Sequence, residues 1–292
     1  MSIFSKEVPN LQATRFVMSP RLHFVTKRVT YKLRLNEALE QKEVSEVNNK
    51  KTDEDETSKK LTQAGVDGAS AFLSRICLPA AEEFGLLLKD KVSGWRANNA
   101  VKIAHKAKKI LEEHNRIEVS SHPKIVYSTL ENGSWAEDDL LQDLWAGLLA
   151  SSCTETGKDD SNHILVNLLA QIVSSQVNVL CFACTNAEVF KNAHGLIYAE
   201  ELIVNEKQVI EIAGIDDVHQ LDRELDHLRA LGLIDGGFDI DSHAAGITPT
   251  PLCLHLYVRS QGFVGAPVDY FDCPEKEKEN KLLNSFKDAL DK

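Results

Sequence analysis

Basic residues are the minority among the charged residues of this 292-residue chain. It has 33 Lys and Arg against 44 Asp and Glu, which gives a formal net charge of -11. General affinity for nucleic acid or for an anionic membrane surface needs a basic footprint, so this balance argues against both. With 43% hydrophobic residues, the chain is long enough to bury a substantial core in one large or two modest domains.

The sequence also lacks the short motifs that accompany common chemistries. It contains no HExxH, GxSxG, GxGxxG or EF-hand pattern, and no glycine precedes Gly157-Lys158 at the spacing of a phosphate-binding loop. We therefore predict no catalytic residues, no metal ligands and no cofactor, and we favour a protein that is not an enzyme. A hydrolase or nuclease remains an alternative, because a catalytic site is often assembled from residues distant in sequence.

Two groups of potential metal ligands fall short of a site. Cys181 and Cys184 form a CxxC without a second pair, whereas zinc needs four ligands, so we expect them to pack in the core. Four further side chains follow closely on one predicted helix: His219, Asp222, Asp226 and His227. Only some of these share a helix face, which favours solvated surface residues. The six cysteines are scattered and no cleavable signal peptide opens the chain, so we expect the cytoplasm.

Composition divides the chain into five segments. They are a basic N-terminal arm (1–40), a polar linker (41–63), a helical domain (64–205), a winged-helix-like domain (206–264) and a C-terminal tail (265–292). Alternating apolar and polar residues from Val29 to Leu35 predict a short strand in the arm. The predicted fold class is mainly α: a helical bundle-like domain followed by a winged-helix-like α+β portion, with a short strand-containing N-terminal arm.

The stretch Ser134–Ser152 carries the clearest helix pattern. Ser134 and Glu137 have the spacing of a capping box, and leucines recur around Trp145 at helical intervals over about half the circumference. Trp145 is therefore predicted to be a structural anchor. The remaining arc includes Gly147 between two alanines, and such small side chains predict that a neighbouring helix approaches closely.

Residues 161–187 contain no Asp, Glu, Lys or Arg. If this run is one helix, a stripe of uncharged polar residues lies along one side: Asn167, Gln171, Ser174 and Asn178. One interpretation is a central helix whose polar groups are satisfied by neighbouring protein. The other is an interaction surface through which the helix enters a bilayer on activation and pairs with other copies.

The C-terminal third predicts a helix and two strands. A further helix and turn are expected over 188–205 and a short strand over 207–212. Asp216 or Asp217 caps a helix that ends at Leu231-Gly232. Residues 233–241 and 246–262 then predict two strands around a turn, which completes a winged helix-turn-helix pattern.

The charge of that helix argues against DNA reading. Residues 216–229 contain five acidic residues against two arginines, Arg223 and Arg229. Because a helix in the major groove lies between phosphates, we do not expect this helix to bind nucleic acid.

Three sequence blocks resemble the abortive infection alpha family of bacterial phage-defence proteins. They are LPAAEEFGLLLKDKVSGWRANNAVKI (78–103), LQDLWAGLLASS (141–152), and LDHLRALGLIDGG with GITPTPLCLHL near the end. The order and spacing of the blocks also fit, over roughly residues 65–262. The resemblance implies a protein that halts the infected cell, and it supplies no catalytic residues.

Together these features favour an antiphage protein that acts by association. The expected partner is a second copy of the chain or another defence protein, with the membrane as a further target on activation. The alternative is a nucleic-acid-binding sensor or regulator that uses the basic arm and the winged helix.

Overall fold

A computed structural model describes residues 63–79, 82, 85, 94–239, 241–271 and 273 of the chain. The predicted basic arm, nearly all of the linker and most of the C-terminal tail lie outside these residues. In the described residues, the helical part contains α1 (Gln63–Ile76), α2 (Gly94–Glu113), α3 (Pro123–Gly133), α4 (Asp139–Ser151), α5 (His163–Leu169) and α6 (Ser174–Asn186). Two short strands, β1 (Ser120–Ser121) and β2 (Cys153–Thr154), pair antiparallel beside them.

The remaining elements form the α+β portion. They are β3 (Val189–Lys191), β4 (Ile197–Ala199), β5 (Ile203–Asn205), α7 (Glu206–Ala213), α8 (Val218–Ala230), β6 (Ile234–Asp239), β7 (Ala244–Pro249), α9 (Pro251–Ser260) and α10 (Pro267–Phe271). β3 pairs with β4, and the other three strands form an antiparallel sheet in the order β5-β7-β6. One buried hydrophobic cluster runs through the described residues from α1 to α10. The predicted mainly α fold with an α+β C-terminal portion is confirmed.

Helix α4 lies at the centre of this core. Ten of its thirteen residues are buried, Trp145 among them, and it contacts α2 and α9 as well as α3 and α6. A Cβ atom on Gly147 would lie 1.7 Å from the carbonyl oxygen of Ser260, the last residue of α9. The small side chains of α4 therefore allow the backbone of α9 to contact the backbone of α4. The sequence predicted such a close approach.

The predicted cap of this helix is wrong. Asp138 is the N-cap residue, and its carboxylate accepts a hydrogen bond from the backbone N–H of Leu141 at 2.9 Å. Ser134 instead ends α3, where its hydroxyl donates to the carbonyl oxygen of Glu131 at 2.9 Å. Because α3 continues to Gly133, a turn separates the two helices and the aspartate nearer to α4 takes the cap.

The uncharged run forms two helices, so the prediction of one continuous helix is wrong. The chain leaves helical geometry between Leu169 and Ser174, and Val173 is extended with φ -104° and ψ 169°. Gln176 fixes the new start: its side-chain oxygen accepts from the N–H of Val173 at 3.1 Å and its amide donates to the carbonyl oxygen of Glu224 at 3.1 Å. Among the described residues, no helix is long and apolar enough to cross a membrane.

Three further predictions are wrong in the α+β portion. Residues 188–205 form β3, β4 and β5 in place of a helix and a turn, and 207–212 lie in α7 in place of a strand. Asn205 and Gln208 cap α7 reciprocally, with N···O distances of 2.9 and 3.3 Å. The last predicted strand ends at Pro249, because Thr250 accepts from the N–H of Cys253 at 3.2 Å and Pro251 starts a helix.

The helix predicted from Asp216 or Asp217 is confirmed as α8. Asp217 is its N-cap and accepts from the N–H of His219 at 2.9 Å, and the helix ends before Leu231. Along the chain, the order of elements is a strand (β5), two helices (α7 and α8) and a hairpin (β6 and β7). In the sheet, β5 pairs with the edge of β7 that β6 leaves free. The winged-helix-like character of this portion stays a prediction.

Replacing Gly147 by Ala tests the contact between α4 and α9. The added Cβ collides with a backbone carbonyl, which cannot turn aside, so we expect the free energy of unfolding to fall by about 3 kcal/mol. Urea unfolding followed by circular dichroism measures this change. Gly94→Ala is the control, because a Cβ at Gly94 has no atom within 4 Å and should change stability by less than about 0.5 kcal/mol. Equal effects at the two positions would contradict the contact.

Candidate interaction surface

A groove of about 490 Å³ lies at the start of α4. One wall is the turn between α3 and α4, residues 132–138, and the other is the junction between α5 and α6, residues 169–174. Leu141 and Trp145 of α4 also line it. The groove therefore joins the helix that the sequence marked as the anchor to the uncharged run that it marked for interaction.

Two exposed tryptophans stand beside this groove. Trp95, the second residue of α2, is 43% exposed, and Trp135, in the turn that forms one wall, is 58% exposed. Their rings meet edge to face with 5.5 Å between centroids. Val173 on the opposite wall is also half exposed. Large exposed apolar side chains that cluster together mark interaction sites, whereas scattered single ones do not.

Arg96 holds Trp135, one member of the tryptophan pair, in place. Its guanidinium carbon lies 4.0 Å from the centroid of the Trp135 ring, a cation–π contact. The same group donates to the carboxylate of Glu131 at 3.0 Å and to the hydroxyl of Ser134 at 2.9 and 3.1 Å. With these partners Arg96 is mostly buried, and Trp135 is held in one orientation.

Two buried amides fix the turn from below. The side-chain amide of Asn99 donates to the carbonyl oxygen of Ser134 at 3.1 Å, and that of Gln142 donates to the carbonyl oxygen of Ala136 at 2.8 Å. Gln142 also donates to the Asn99 oxygen at 3.2 Å. Because both amides are buried, the turn has no competing water to hydrate its carbonyls, and the surface that it carries is ordered before any partner binds.

The predicted polar stripe divides at the junction. Asn167, Gln171 and Ser174 are exposed, and Asn178 is half buried. The amide of Gln171 donates to the carbonyl oxygen of Asn167 at 2.8 Å, and the amide of Asn167 lies 3.2 Å from Nδ1 of His163. Ser174 alone of the four lines the groove. The four residues do not share one helix face, and their role in interaction stays a prediction.

The thiols and the other potential metal ligands lie elsewhere. Cys181 and Cys184 are buried in α6, and the sulfur of Cys184 lies 3.5 Å from that of Cys253 in α9. In the part of the chain that the structure describes, no group of three or more His, Cys, Asp or Glu is arranged to hold a metal ion. On α8, both arginines are paired with acids: Arg223 with Glu224 at 3.0 Å and Arg229 with Asp226 at 2.6 Å.

Comparison with known families places the chain. Residues 97–246, just over half of the sequence, match the family model described as abortive infection alpha. The chain belongs to this family. The resemblance seen in the sequence blocks is thus confirmed, and membership in the abortive infection alpha family implies a role in phage defence. No curated protein and no solved structure was found to match the chain.

The family match covers most of the candidate surface. It includes the turn 132–138, the junction 169–174 and both buried amides, and it begins directly after Trp95 and Arg96. The sequence did not reveal this surface, because Trp95 and Trp135 lie in separate parts of the chain. The isolated Trp135 among polar and acidic neighbours was the one available signal.

Replacing Arg96 by Met tests how the surface is held. Methionine keeps an apolar side chain over Trp135 but removes the cation–π contact and the charged hydrogen bonds, so we expect the free energy of unfolding to fall by about 1 to 2 kcal/mol. Thermal and urea unfolding measure the change. In the control, Arg223→Met removes an exposed arginine that pairs with Glu224 and should cost less than about 0.5 kcal/mol. A loss at Arg96 no larger than that of the control would show that the contacts do not order the surface.

Proposed function

We propose that this member of the abortive infection alpha family acts in phage defence by self-association and without catalysis. The interface is the tryptophan surface, defined as Trp95, Arg96, Trp135 and the adjacent groove between residues 132–138 and 169–174. The observation that carries the proposal is the exposed tryptophan pair, held rigid beside an open groove. Tryptophan and arginine are the residues that most often dominate the binding energy of protein interfaces.

The shape of the surface favours a second copy of the same chain. In a two-fold symmetric contact the same patch must serve as both projection and recess. Trp95 projects at the edge of a recess of about 490 Å³, so two copies related by a two-fold axis each place a tryptophan in the groove of the other. A partner of unrelated shape would need only one of these two features.

Because the surface is already ordered, less conformational entropy is lost when a partner binds. Trp135 is held by Arg96, and the turn beneath it is held by the two buried amides. Side chains that are already fixed lose little conformational freedom when a partner arrives.

Salt dependence distinguishes self-association from nucleic-acid binding. Each copy carries a net charge of -11, so two copies repel each other, and added salt screens this repulsion. Association through the tryptophan surface should therefore strengthen between about 50 and 300 mM salt, whereas binding to nucleic acid weakens steeply over such a range. The paired arginines of α8 give no support to a DNA-reading function.

Replacing Trp95 and Trp135 together by Ser tests the proposal. Loss of two aromatic anchors should weaken association at least about 100-fold in sedimentation equilibrium of the full chain. The same variant should lose protection when phage are plated on cells that express it. Leu196→Ser is the matched control, because Leu196 is equally exposed on the β3-β4 turn and lies away from the groove.

Two outcomes would overturn the proposal. One is a wild-type chain that stays monomeric at the concentration and salt at which it protects cells. The other is a double variant that associates as the wild type does. If the wild type is monomeric but the double variant still loses protection, self-association is excluded and the surface serves a different protein.

A further inference from the structure

A second cavity, of about 480 Å³, lies at the opposite end of α4 from the tryptophan surface. The loop after α2 lines one side, and the end of α4 with the following residues to Asn162 lines another. Arg259, in the last turn of α9, and Val264 complete it. We call this cavity the arginine pocket, because Arg116 and Arg259 both line it. It shares no lining residue with the groove at the start of α4.

Local structure explains how Arg116 reaches the pocket. Asn115 ends α2 in the left-handed conformation, with φ 53°, and the N–H of Arg116 donates back to the carbonyl oxygen of Leu111 at 2.8 Å. This reversal is a common helix ending. It turns the Arg116 side chain onto the end of α4, where the guanidinium donates to the carbonyl oxygens of Ala150, at 3.2 Å, and Cys153.

Arg259 is fixed in a similar way. Its guanidinium donates to the carbonyl oxygen of Phe263 at 3.0 Å. An arginine has five N–H donors, so each of these two side chains keeps several donors beyond those that hold it. The contacts to carbonyl groups orient the arginines but do not neutralise their charges.

Neither of the two guanidinium groups forms a direct ion pair with a described residue, although three carboxylates, Glu118, Glu155 and Asp159, also line the pocket. Within the described residues, no carboxylate oxygen lies within the 4 Å of an ion pair to either guanidinium, although both side chains are half buried. Buried charges in proteins are normally paired. The negative ends of α4 and α9 supply only about half a charge each. Two half-buried arginines that line one cavity without a direct ion pair to any described residue are the unusual feature of this site.

The pKa values of the two guanidinium groups reflect the same arrangement. Burial lowers the pKa of Arg116 and of Arg259. The charge of Asp159, from beyond ion-pair distance, raises the pKa of Arg259, and the charge of Arg116 lowers it by a smaller amount. Both side chains remain cationic at neutral pH because the ordinary pKa of a guanidinium lies far above neutrality.

We propose that the arginine pocket binds the phosphate group of a small molecule of about mononucleotide size. Two guanidinium groups match the double charge and several acceptor oxygens of a phosphomonoester. Asn115, Ser161 and Asn162 add polar groups around the same space, and its volume lies in the range of small-ligand sites. This proposal does not depend on self-association, since it concerns a separate site.

The rim of the pocket excludes a nucleic-acid strand. Glu118, Glu155 and Asp159 line it and are exposed, whereas the arginines lie deeper. Hydrogen bonds from Ser161 lower the pKa of Asp159, which stays ionised. These carboxylates repel the neighbouring phosphates of a polymer but accept hydrogen bonds from the hydroxyl or amino groups of a single small ligand. The charge pattern thus favours one phosphate group at the base.

Cys153 shows that the pocket is suited to binding more than to nucleophilic chemistry. Its side chain is buried, and burial raises the pKa of the thiol to about 12, against smaller opposing effects of Arg116 and Arg75. At pH 7 the thiol is therefore protonated, and a protonated thiol is a poor nucleophile.

Calorimetric titration of the full chain tests the pocket with defined probes: inorganic phosphate, adenosine 5′-monophosphate, succinate and a 12-nucleotide single strand. Phosphate and the monophosphate should bind. Arg259→Gln should weaken both at least about tenfold, because one charged donor is lost. Arg223→Gln, which changes an exposed arginine on α8, should leave binding unchanged. Circular dichroism confirms that each variant is folded.

Glu155→Gln provides a second variant whose folding is not at risk, since Glu155 is exposed. Removing a rim carboxylate should strengthen phosphate binding, by about two- to fivefold at low salt. Absence of phosphate binding by the wild type would overturn the proposal, as would equal binding by Arg259→Gln. Succinate binding as tight as that of phosphate would overturn the assignment of the ligand class, and tighter binding of the single strand would overturn the small-molecule assignment.

Discussion

The carbonyl oxygen of Ser260 rests against Gly147 at a distance that leaves no room for any side chain, and the rest of the structure depends on this contact. It brings α9, the last long helix described, onto α4 in the middle of the core. With α2 also packed along α4, the helical part and the α+β part of the chain share one buried cluster. Burial of this kind supplies most of the stability of a domain, and it is sensitive to single atoms at close contacts.

Helix α4 also determines where the two candidate sites lie. Its first residues carry the turn with Trp135, and its last carbonyl groups orient Arg116. The first site is apolar and rigid because buried amides hold a short turn. The second contains two arginines: Arg116 donates to carbonyl groups at the end of α4, and Arg259 donates to the carbonyl oxygen of Phe263. The two candidate sites thus lie at opposite ends of one helix and differ in chemistry.

Features that depend on neighbours in sequence were predictable. The apolar arc around Trp145, the small residues at Gly147 and the cap at Asp217 all follow from spacing along one helix, and the structure has each of them. The helical bundle with an α+β end followed from the same patterns. These signals are local, so residues close together in the sequence are sufficient to predict them.

Features that depend on distant partners were not predictable. Ser134 has the spacing of a cap, but its hydroxyl is held by Arg96, 38 residues away, at the end of the preceding helix. The uncharged run breaks because Gln176 is drawn to Glu224, 48 residues away. The sequence beyond Pro249 has strand-like composition, yet Thr250 and Pro251 start a helix that the core requires. In each case a tertiary contact outweighs a local preference.

The candidate sites belong to the second group. Trp95 and Trp135 are 40 residues apart, and Arg116 and Arg259 are farther apart still, so neither pair forms a motif. What singles them out is physical: one is an apolar pair exposed to water, and the other is a cationic pair without a direct ion pair among the described residues. Both arrangements cost free energy in an isolated chain, about 25 cal/mol for each Å² of exposed apolar surface and more for a charge taken from water. Dedicated hydrogen bonds order both pairs, those of Arg96 around Trp135 and those between Arg116 and the carbonyl groups at the end of α4, and they offset part of this cost.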